Sequence, residues 1–182
     1  MGIQPTNAGI DFQQRVSAWF MINMLFDIEL SNSLNIGNDE CIGQMVFEAD
    51  AEIDDLVLIT ENNKKVYMQM KRNINLSSEV SSEFYKTCEQ FVKQYIQHDS
   101  KDVAFLLVTT NNASSNICEI LRRVLNSIRA SESFGIVDAF NKKENEVFDK
   151  VCKVIESIYL NITQEKIHEN DKLELFKKMY VE

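Results

Sequence analysis

The sequence predicts a mixed α/β fold, in which a central β-sheet is flanked by helices and followed by a C-terminal helical extension. Apolar runs of strand length alternate with longer segments whose apolar residues recur at helical spacing. The composition agrees, because 5 glycines and 1 proline among 182 residues leave little material for the many turns of an all-β fold. Hydrophobic residues make up 45% of the chain, which is enough for an ordinary core.

Strands are predicted at four places. The first three are short, and the polar residues 61–64 form a hairpin connection between the second and the third. The fourth, VAFLLVT, is apolar at almost every position, which is typical of a strand buried on both faces at the centre of a sheet. The predicted strands cover residues 44–48, 56–60, 66–71 and 103–109.

Helices are predicted before, between and after these strands. The opening helix carries a broad apolar stripe, and Gly9 and Asp11 are start signals for it. Residues 31–40 are expected to form a polar linker. The predicted helices cover residues 11–27, 79–98, 111–128, about 147–159 and 167–179.

An internal boundary is predicted at residues 131–136, SESFGI. We therefore expect residues 1–130 to form the core domain and residues 131–182 to form a helical extension. The extension is either part of a helical bundle or the beginning of a further domain.

Charge, cysteine and histidine usage argue against several function classes. The net charge of −9 argues against a generally basic protein that coats nucleic acid, although a local basic groove remains compatible with it. The 4 cysteines include no CxxC pair, and the 2 histidines have no second histidine at helical spacing. A zinc site or a histidine-based nucleophile is therefore not expected.

Targeting and membrane signals are not apparent in the sequence. No apolar run approaches the roughly 20 residues that span a bilayer. Residues 1–14 lack the basic and then apolar pattern of a signal peptide. We therefore expect a cytoplasmic protein with no membrane partner.

Polar residues lie at the ends of two neighbouring predicted strands. Because side chains alternate between the faces of a strand, Gln69 and Lys71 point to the same face. Asp54 and Asp55 open the preceding strand, where hairpin pairing brings one of them beside that polar face. The pattern does not choose between the two aspartates, since adjacent residues point to opposite faces and the pairing register is unknown.

Such a set suits metal-dependent phosphodiester chemistry. A carboxylate binds a hard cation such as Mg²⁺, the cation polarises a phosphate and activates a bound water, and a lysine stabilises the developing charge. The alternative is an ordinary solvated strand face, in which Asp54 and Asp55 begin one strand and Lys71 ends another.

The order of elements and residues resembles the PD-(D/E)XK restriction-endonuclease-like superfamily. The QMK tripeptide at 69–71 is similar to the QxK variant of Mrr-like enzymes. The closer likeness is to the N-terminal double-stranded DNA endonuclease domain of bacterial anti-phage effectors of the CBASS type. In these a G-x-x-(F/Y)-Q helix, here GIDFQ at 9–13, precedes an acid-rich stretch, here 48–55, and a polar segment follows QxK, here 75–78. The resemblance covers roughly residues 9–130.

The resemblance implies a role for each matching residue. Asp55 or Asp54 would be the main metal ligand, with Asp55 favoured because it abuts the apolar run directly. Gln69 would help to shape the metal site, and Lys71 would assist the attacking water and the phosphate charge. Glu48 would add a second carboxylate, unless it is only an acid at a strand end.

Two further points follow from the resemblance. Gln13 on the opening helix is a weaker candidate, whose alternative is a surface position. Glutamine at position 69, where the commoner motif has an acid, removes a negative charge. Binding of the expected cofactor, Mg²⁺ or in its place Mn²⁺, should therefore be weaker unless Glu48 or the second aspartate compensates.

Contact with DNA needs positive charge near the site. Lys65 and Arg72 flank the motif in the sequence and are expected to bind DNA, the alternative being an ordinary mixed-charge surface. By resemblance, the substrate is double-stranded DNA, the activated form is a homo-oligomer, and a C-terminal sensor or NTPase domain follows. The rival expectation is a catalytically silent nuclease fold that serves in DNA binding or oligomerisation.

Overall fold

A computed structural model of the chain describes residues 7–34, 36, 40–47, 51–53, 55–97 and 102–182. In this part of the chain a mixed five-stranded β-sheet has helices on both faces. The predicted α/β class, with a flanked mixed sheet and C-terminal helices, is confirmed.

The sheet has its strands in the same order in space as in the chain. The first three strands pair antiparallel, whereas the third with the fourth and the fourth with the fifth pair parallel. The second and fourth strands have the predicted bounds, and the short fifth strand was not predicted. The strands are β1 (Ile42–Phe47), β2 (Leu56–Thr60), β3 (Lys65–Lys71), β4 (Val103–Thr109) and β5 (Met179–Val181).

The helices precede, connect and follow these strands. A π-helical stretch, Asn116–Leu121, leads into the fourth helix, and a 3₁₀ helix, Phe134–Ala139, precedes the fifth. The α-helices are α1 (Asn7–Leu25), α2 (Leu30–Leu34), α3 (Glu83–Gln97), α4 (Arg122–Arg129), α5 (Lys142–Thr163) and α6 (Glu169–Lys178).

The expectation of a polar linker at residues 31–40 is wrong for its first part, because α2 extends to Leu34. Leu30, Leu34 and Ile36 are buried against the sheet, so their apolar side chains hold this segment to the core. The polar residues between these three positions made the segment read as a linker in the sequence.

Hydrophobic clusters cover both faces of the sheet. On one face α1 and α2 pack on β3 residues such as Met68, with Phe20 as a large buried anchor. On the other face α3 to α6 pack around β4, where the ring of Phe91 stacks on that of Phe105 with centroids 5.7 Å apart. The predicted alternation along β3 is confirmed, because Met68 and Tyr67 belong to opposite clusters.

One end of the sheet gathers several chain segments. β3, β4 and β5 are parallel and end there, and antiparallel β2 begins there. Because α3 connects two parallel strands, it runs back along the sheet and also begins at this end. We call this the site end, marked by Asp55, Lys71, Glu83 and Thr109.

The C-terminal segment, residues 131–182, packs on the same core as the preceding residues. The ring centroids of Phe134 and Phe148 lie 5.6 Å apart, and those of Phe148 and Phe176 are equally close. β5 then pairs with β4 in the main sheet. The division at residue 130 stays a prediction, but the expected extension contributes to both the core and the sheet.

Across the described residues, no helix combines the length and the apolar character needed to cross a membrane. Cys41, Cys88, Cys118 and Cys152 are free thiols. Burial raises the pKa of Cys88 and raises the pKa of Cys152 to about 12, so these two thiols resist ionisation.

Candidate active site

Asp55 lies at the site end of the sheet, immediately before β2. Leu56 pairs with Met68, so the antiparallel register brings Asp55 alongside Gln69. The Gln69 side-chain amide donates a hydrogen bond to Asp55 Oδ2 at 2.8 Å. The backbone N–H of Met70 donates to the same oxygen at 2.7 Å. These charge-assisted bonds fix the carboxylate beside the end of β3.

A third donor reaches Asp55 from the other face of the sheet. Gln13 Nε2 on α1 donates a hydrogen bond to Asp55 Oδ1 at 3.1 Å. Both carboxylate oxygens are therefore hydrogen-bonded, one by α1 and the other by β3. Asp55 is the point at which the α1 layer and the sheet are joined through polar side chains.

Gln69 is a buried polar residue with one unsatisfied atom. The residue is only 3% exposed, and its Oε1 finds no hydrogen-bond partner among the described residues. A buried acceptor without a donor costs roughly 1–3 kcal/mol. An amide oxygen in this state is suited to accept a water, a donor from a ligand or a hard cation.

Lys71 is on the same face of β3 as Gln69 and pairs with Glu83, the first residue of α3. Lys71 Nζ and Glu83 Oε2 are 3.4 Å apart, and Lys86 Nζ lies 3.4 Å from the other Glu83 oxygen. Partial burial raises the pKa of Glu83, but the Lys71 and Lys86 ammonium groups outweigh it, so the net pKa is lowered. Ser82 supports this arrangement because its Oγ accepts from the Tyr85 N–H and caps the helix.

The last residue of β4 and the residue after it contribute hydroxyl groups to the same end of the sheet. Thr109 Oγ1 donates to the Lys71 carbonyl at 2.7 Å, and Thr110 Oγ1 donates to the Arg72 carbonyl at 2.8 Å. These bonds fix the backbone where β3 ends. Next to them lies a cavity of about 390 Å³, whose polar lining includes Asn111 and Arg122.

The predicted site residues fall into three groups: those at the site end, those outside the described residues, and Lys65 at the far end of β3. The structure brings Asp55, Gln69 and Gln13 into direct contact, with Lys71 two residues further along β3. Arg72 follows Lys71 and is exposed. Glu48 and Asp54 lie outside the described residues, so the candidate second carboxylate and the alternative ligand stay predictions.

Lys65 is separated from this set. It begins β3, whereas Lys71 ends it, and six residues of extended strand span about 20 Å. The two lysines are close in sequence but lie at opposite ends of the sheet. The sequence clustering of positive charge around the motif therefore does not bring Lys65 to the site.

The donors at the site fit a magnesium ion only in part. Asp55 and the unsatisfied Gln69 Oε1 offer the hard oxygen atoms that Mg²⁺ prefers. In the described part of the chain, however, no three acidic, histidine or cysteine side chains are grouped closely enough to hold a metal ion. Mg²⁺ is commonly bound through one or two carboxylates together with substrate phosphates, and the described donors fit that mode.

Sequence reasoning missed Glu83 as a site residue. A signal was available, because a helix between two parallel strands begins at the end where the first strand finishes. The predicted order of strand, helix and buried strand therefore placed the start of the helix near Lys71, but the predicted start at residue 79 pointed to Glu79, whereas α3 begins at Glu83.

Comparison with models of known protein families, with curated proteins and with solved structures found no match to this chain.

Proposed function

We propose that the chain is a metal-dependent DNA endonuclease domain with a restriction-endonuclease-like core of the QxK type. The observation that carries the proposal is the contact between Asp55 and Gln69 at the end of β3, with Lys71 on the same face of that strand. An acid, an amide and an ammonium group at one end of a mixed sheet are the groups that the chemistry requires.

The order of the elements supports the same proposal. An opening helix, an antiparallel β1–β2–β3 meander, a crossover helix and a parallel β4 follow one another as the resemblance implies. Gln13, the weakest of the candidates, hydrogen-bonds to Asp55 from that opening helix. This contact favours the role in the site over the alternative of an ordinary surface position for Gln13.

In the proposed mechanism Asp55 and Gln69 would hold Mg²⁺, or Mn²⁺ in its place, through their side-chain oxygens. The chemistry supplied by the bound ion is polarisation of the scissile phosphate and a lowered pKa for a coordinated water. Gln13 keeps the Asp55 carboxylate oriented through the bond to Oδ1. The attacking water loses a proton to solvent as its oxygen bonds to phosphorus, the bond from phosphorus to the leaving sugar oxygen breaks, and that oxygen takes up a proton from solvent.

Lys71 stabilises the negative charge that develops on the phosphate and orients the attacking water. Its ion pair with Glu83 holds the ammonium group at the site end before substrate binds. A phosphate oxygen then replaces or joins Glu83 as the partner of Lys71. Glu83 is in this way a positioning residue rather than a catalytic one.

The proposed substrate is double-stranded DNA. Arg72 is exposed directly beside the site, and the Lys86 side chain is about half exposed on the first turn of α3. With a net charge of −9, such local positive charge has to provide the phosphate contacts. Resemblance alone supports the further proposal that the domain is the effector of a bacterial anti-phage protein.

Plasmid cleavage by three forms of the chain tests the proposal. The wild type should nick plasmid DNA with Mg²⁺ or Mn²⁺ and not with EDTA. Lys71→Ala should lower the cleavage rate about 100-fold, as expected when one group that stabilises transition-state charge is lost. Lys65→Ala is the matched control, because it removes a lysine from the opposite end of the same strand and should leave the rate unchanged.

Circular dichroism and thermal unfolding check that each variant is folded. Equal metal-dependent nicking by the wild type and Lys71→Ala would show that the site is assigned wrongly. A loss in Lys65→Ala as large as that in Lys71→Ala would point to a general charge effect instead of a catalytic one.

A second candidate function is a catalytically silent nuclease fold that binds DNA or another protein. It is favoured by glutamine at position 69, which removes a negative charge where the commoner motif has an acid. Fluorescence anisotropy with labelled duplex DNA distinguishes the two. Duplex binding that is independent of metal, without cleavage under any of the metal conditions, would favour the silent module.

A further inference from the structure

The outward face of α1 is apolar although it faces away from the sheet. Ala18, Ile22 and Leu25 follow one another at helical steps of four and three, and Phe26 lies one turn beyond Ile22. The Phe26 N–H bonds to the Ile22 carbonyl at 3.1 Å, so the stripe continues past the last helical residue. Leu25 and Phe26 are 78% and 73% exposed. We call this stripe the outward face of α1.

The same helix packs on the sheet with its opposite side. Phe12, Val16 and Phe20 lie towards the cluster around Met68, between a quarter and a half of a turn from Ile22 on the outward face. α1 is thus apolar on both sides, which is typical of a helix buried between two layers. In the described structure only one of these layers is present.

The exposed area is of the size that a stable dimer needs. Five large apolar residues on or beside this face are 38% to 78% exposed, namely Met21, Ile22, Leu25, Phe26 and Ile28. At about 200 Å² for a fully exposed large apolar residue, the patch measures about 570 Å². Two such patches bury about 1,100 Å² in total, just above the roughly 1,000 Å² that a specific interface needs.

The charges around the patch favour an antiparallel pairing with a second copy. Arg15 lies before the outward face and is exposed, and its salt bridge is to Asp11 in the same first half of α1. Asp27 and Glu29 follow the other end of the helix. Two antiparallel copies centred on Ile22 bring Arg15 of each copy near the acids of the other. A parallel pairing places like charges together, which is unfavourable.

A membrane surface fits the same patch less well. Helices that lie in a bilayer interface carry lysine and arginine on a polar face beside the apolar one. Among the described residues that flank the outward face of α1, Asp11, Asp27 and Glu29 are acidic and Arg15 is basic, so the flanks do not carry the excess of positive charge that such helices have.

We propose that the outward face of α1 is a homodimer interface, in which α1 packs antiparallel against α1 of a second copy. Closed twofold dimers are the commonest oligomers, and their interfaces are more apolar than other protein surfaces. The inference does not depend on the proposed nuclease activity, since it rests on an opposite side of α1 from Gln13.

Sedimentation velocity over a wide range of protein concentration tests the interface. The wild type should form a particle of twice the 21.0 kDa chain mass. Ile22→Glu combined with Leu25→Glu should weaken the dimer at least about 100-fold, because like charges then face each other across an apolar contact. Val80→Glu is the matched control, since Val80 is 69% exposed outside the patch, and it should leave dimerisation unchanged.

Disulfide crosslinking tests the antiparallel geometry. In a chain whose partly exposed Cys41 and Cys118 are replaced by Ser, Ile22→Cys should form an intermolecular disulfide, whereas Val80→Cys should not. Ala18→Cys should also fail to crosslink, because the antiparallel pairing centred on Ile22 separates the two copies of residue 18 by about 12 Å along the helix axis, whereas a parallel pairing would bring them together. A dimer that gives no crosslink at position 22 would overturn the antiparallel pairing.

The remaining outcomes also decide the proposal. A wild type that stays monomeric at every concentration would overturn it, and so would a dimer that survives the double glutamate variant. If the monomer instead binds vesicles of phosphatidylethanolamine and phosphatidylglycerol, and the double variant does not, the face is a membrane surface and the proposal is wrong. Plasmid cleavage is measured separately, so loss of the dimer and loss of the nuclease proposal are distinguishable.

Discussion

α1 and α5 are the longest helices of the two layers, and they lie on opposite faces of one sheet. α5 turns residues such as Val151, Ile155 and Ile158 into the core. In α1 the buried residues among the described side chains are Phe20 and Asn23, while Leu25 and its neighbours face solvent. The α3 to α6 layer uses its apolar residues to form the core, whereas α1 carries more of them than one face of the sheet can cover.

The largest expected effect is a difference in stability between two matched phenylalanine variants, one in each layer. Phe176→Ala in α6 should lower the free energy of unfolding by about 3–5 kcal/mol, because it leaves a cavity in the core cluster. Phe26→Ala on the outward face should change it by less than about 0.5 kcal/mol when the chain is monomeric. Urea unfolding at low protein concentration measures both, and equal losses would contradict the difference between the layers.

An intermediate effect is expected where α1 is joined to the sheet through Asp55. Gln13→Ala removes the hydrogen bond to Asp55 Oδ1 and should lower the opening free energy of α1 by about 1 kcal/mol. Amide hydrogen exchange should show this in α1 and not in α5. The exposed neighbour Gln14 gives the control, since Gln14→Ala should leave exchange in both helices unchanged. Faster exchange in α5 would mean that the layers are coupled more broadly.

The smallest expected effect is on the pH dependence of stability. It comes from the Lys71–Glu83 ion pair, which links β3 at the site to α3. The pKa of Glu83 is lowered below its ordinary value of 4.5 in the folded chain, so its stabilising contribution is present above that pH and is lost as the pH falls through the folded pKa. Glu83→Gln should therefore lose less stability than the wild type on acidification below about pH 5. Because both side chains are partly exposed, the difference should be small.

Thermal unfolding at a series of pH values measures this difference. Glu79→Gln is the control, because Glu79 is exposed in the loop before α3. It should follow the wild type, and an equal change in both variants would rule out a specific role for the ion pair.

The strands whose bounds the sequence predicted correctly are those marked by their own residues and by the turns beside them. β2 and β4 have the predicted bounds because each is an apolar run between polar turn residues. β5 was missed because Met179–Val181 is too short to show a period and becomes a strand only by pairing with β4. Its strand state is a tertiary effect.

The candidate site was predictable to the extent that it depends on strand geometry. The alternation that places Gln69 and Lys71 on one face needs no knowledge of the fold. The contact of Asp55 with Gln69 needed the hairpin register, and that of Gln13 with Asp55 needed the packing of α1 across the sheet. Lys65 could not be placed correctly from its nearness to Lys71 in the sequence. An extended strand rises about 3.3 Å per residue, so the six steps of β3 put the two lysines at opposite ends of the sheet.

The pairing of β5 with β4 has a consequence for how the chain is made. β4 is the most apolar strand, and all of α4, α5 and α6 separates it from its outer partner. While the ribosome synthesises those helices, one side of β4 presents unpaired backbone groups, which is the condition under which strands associate wrongly. The outer edge of β4 can pair with β5 only after Met179–Val181 has been synthesised. A product that stops earlier therefore leaves the edge of its most apolar strand unpaired.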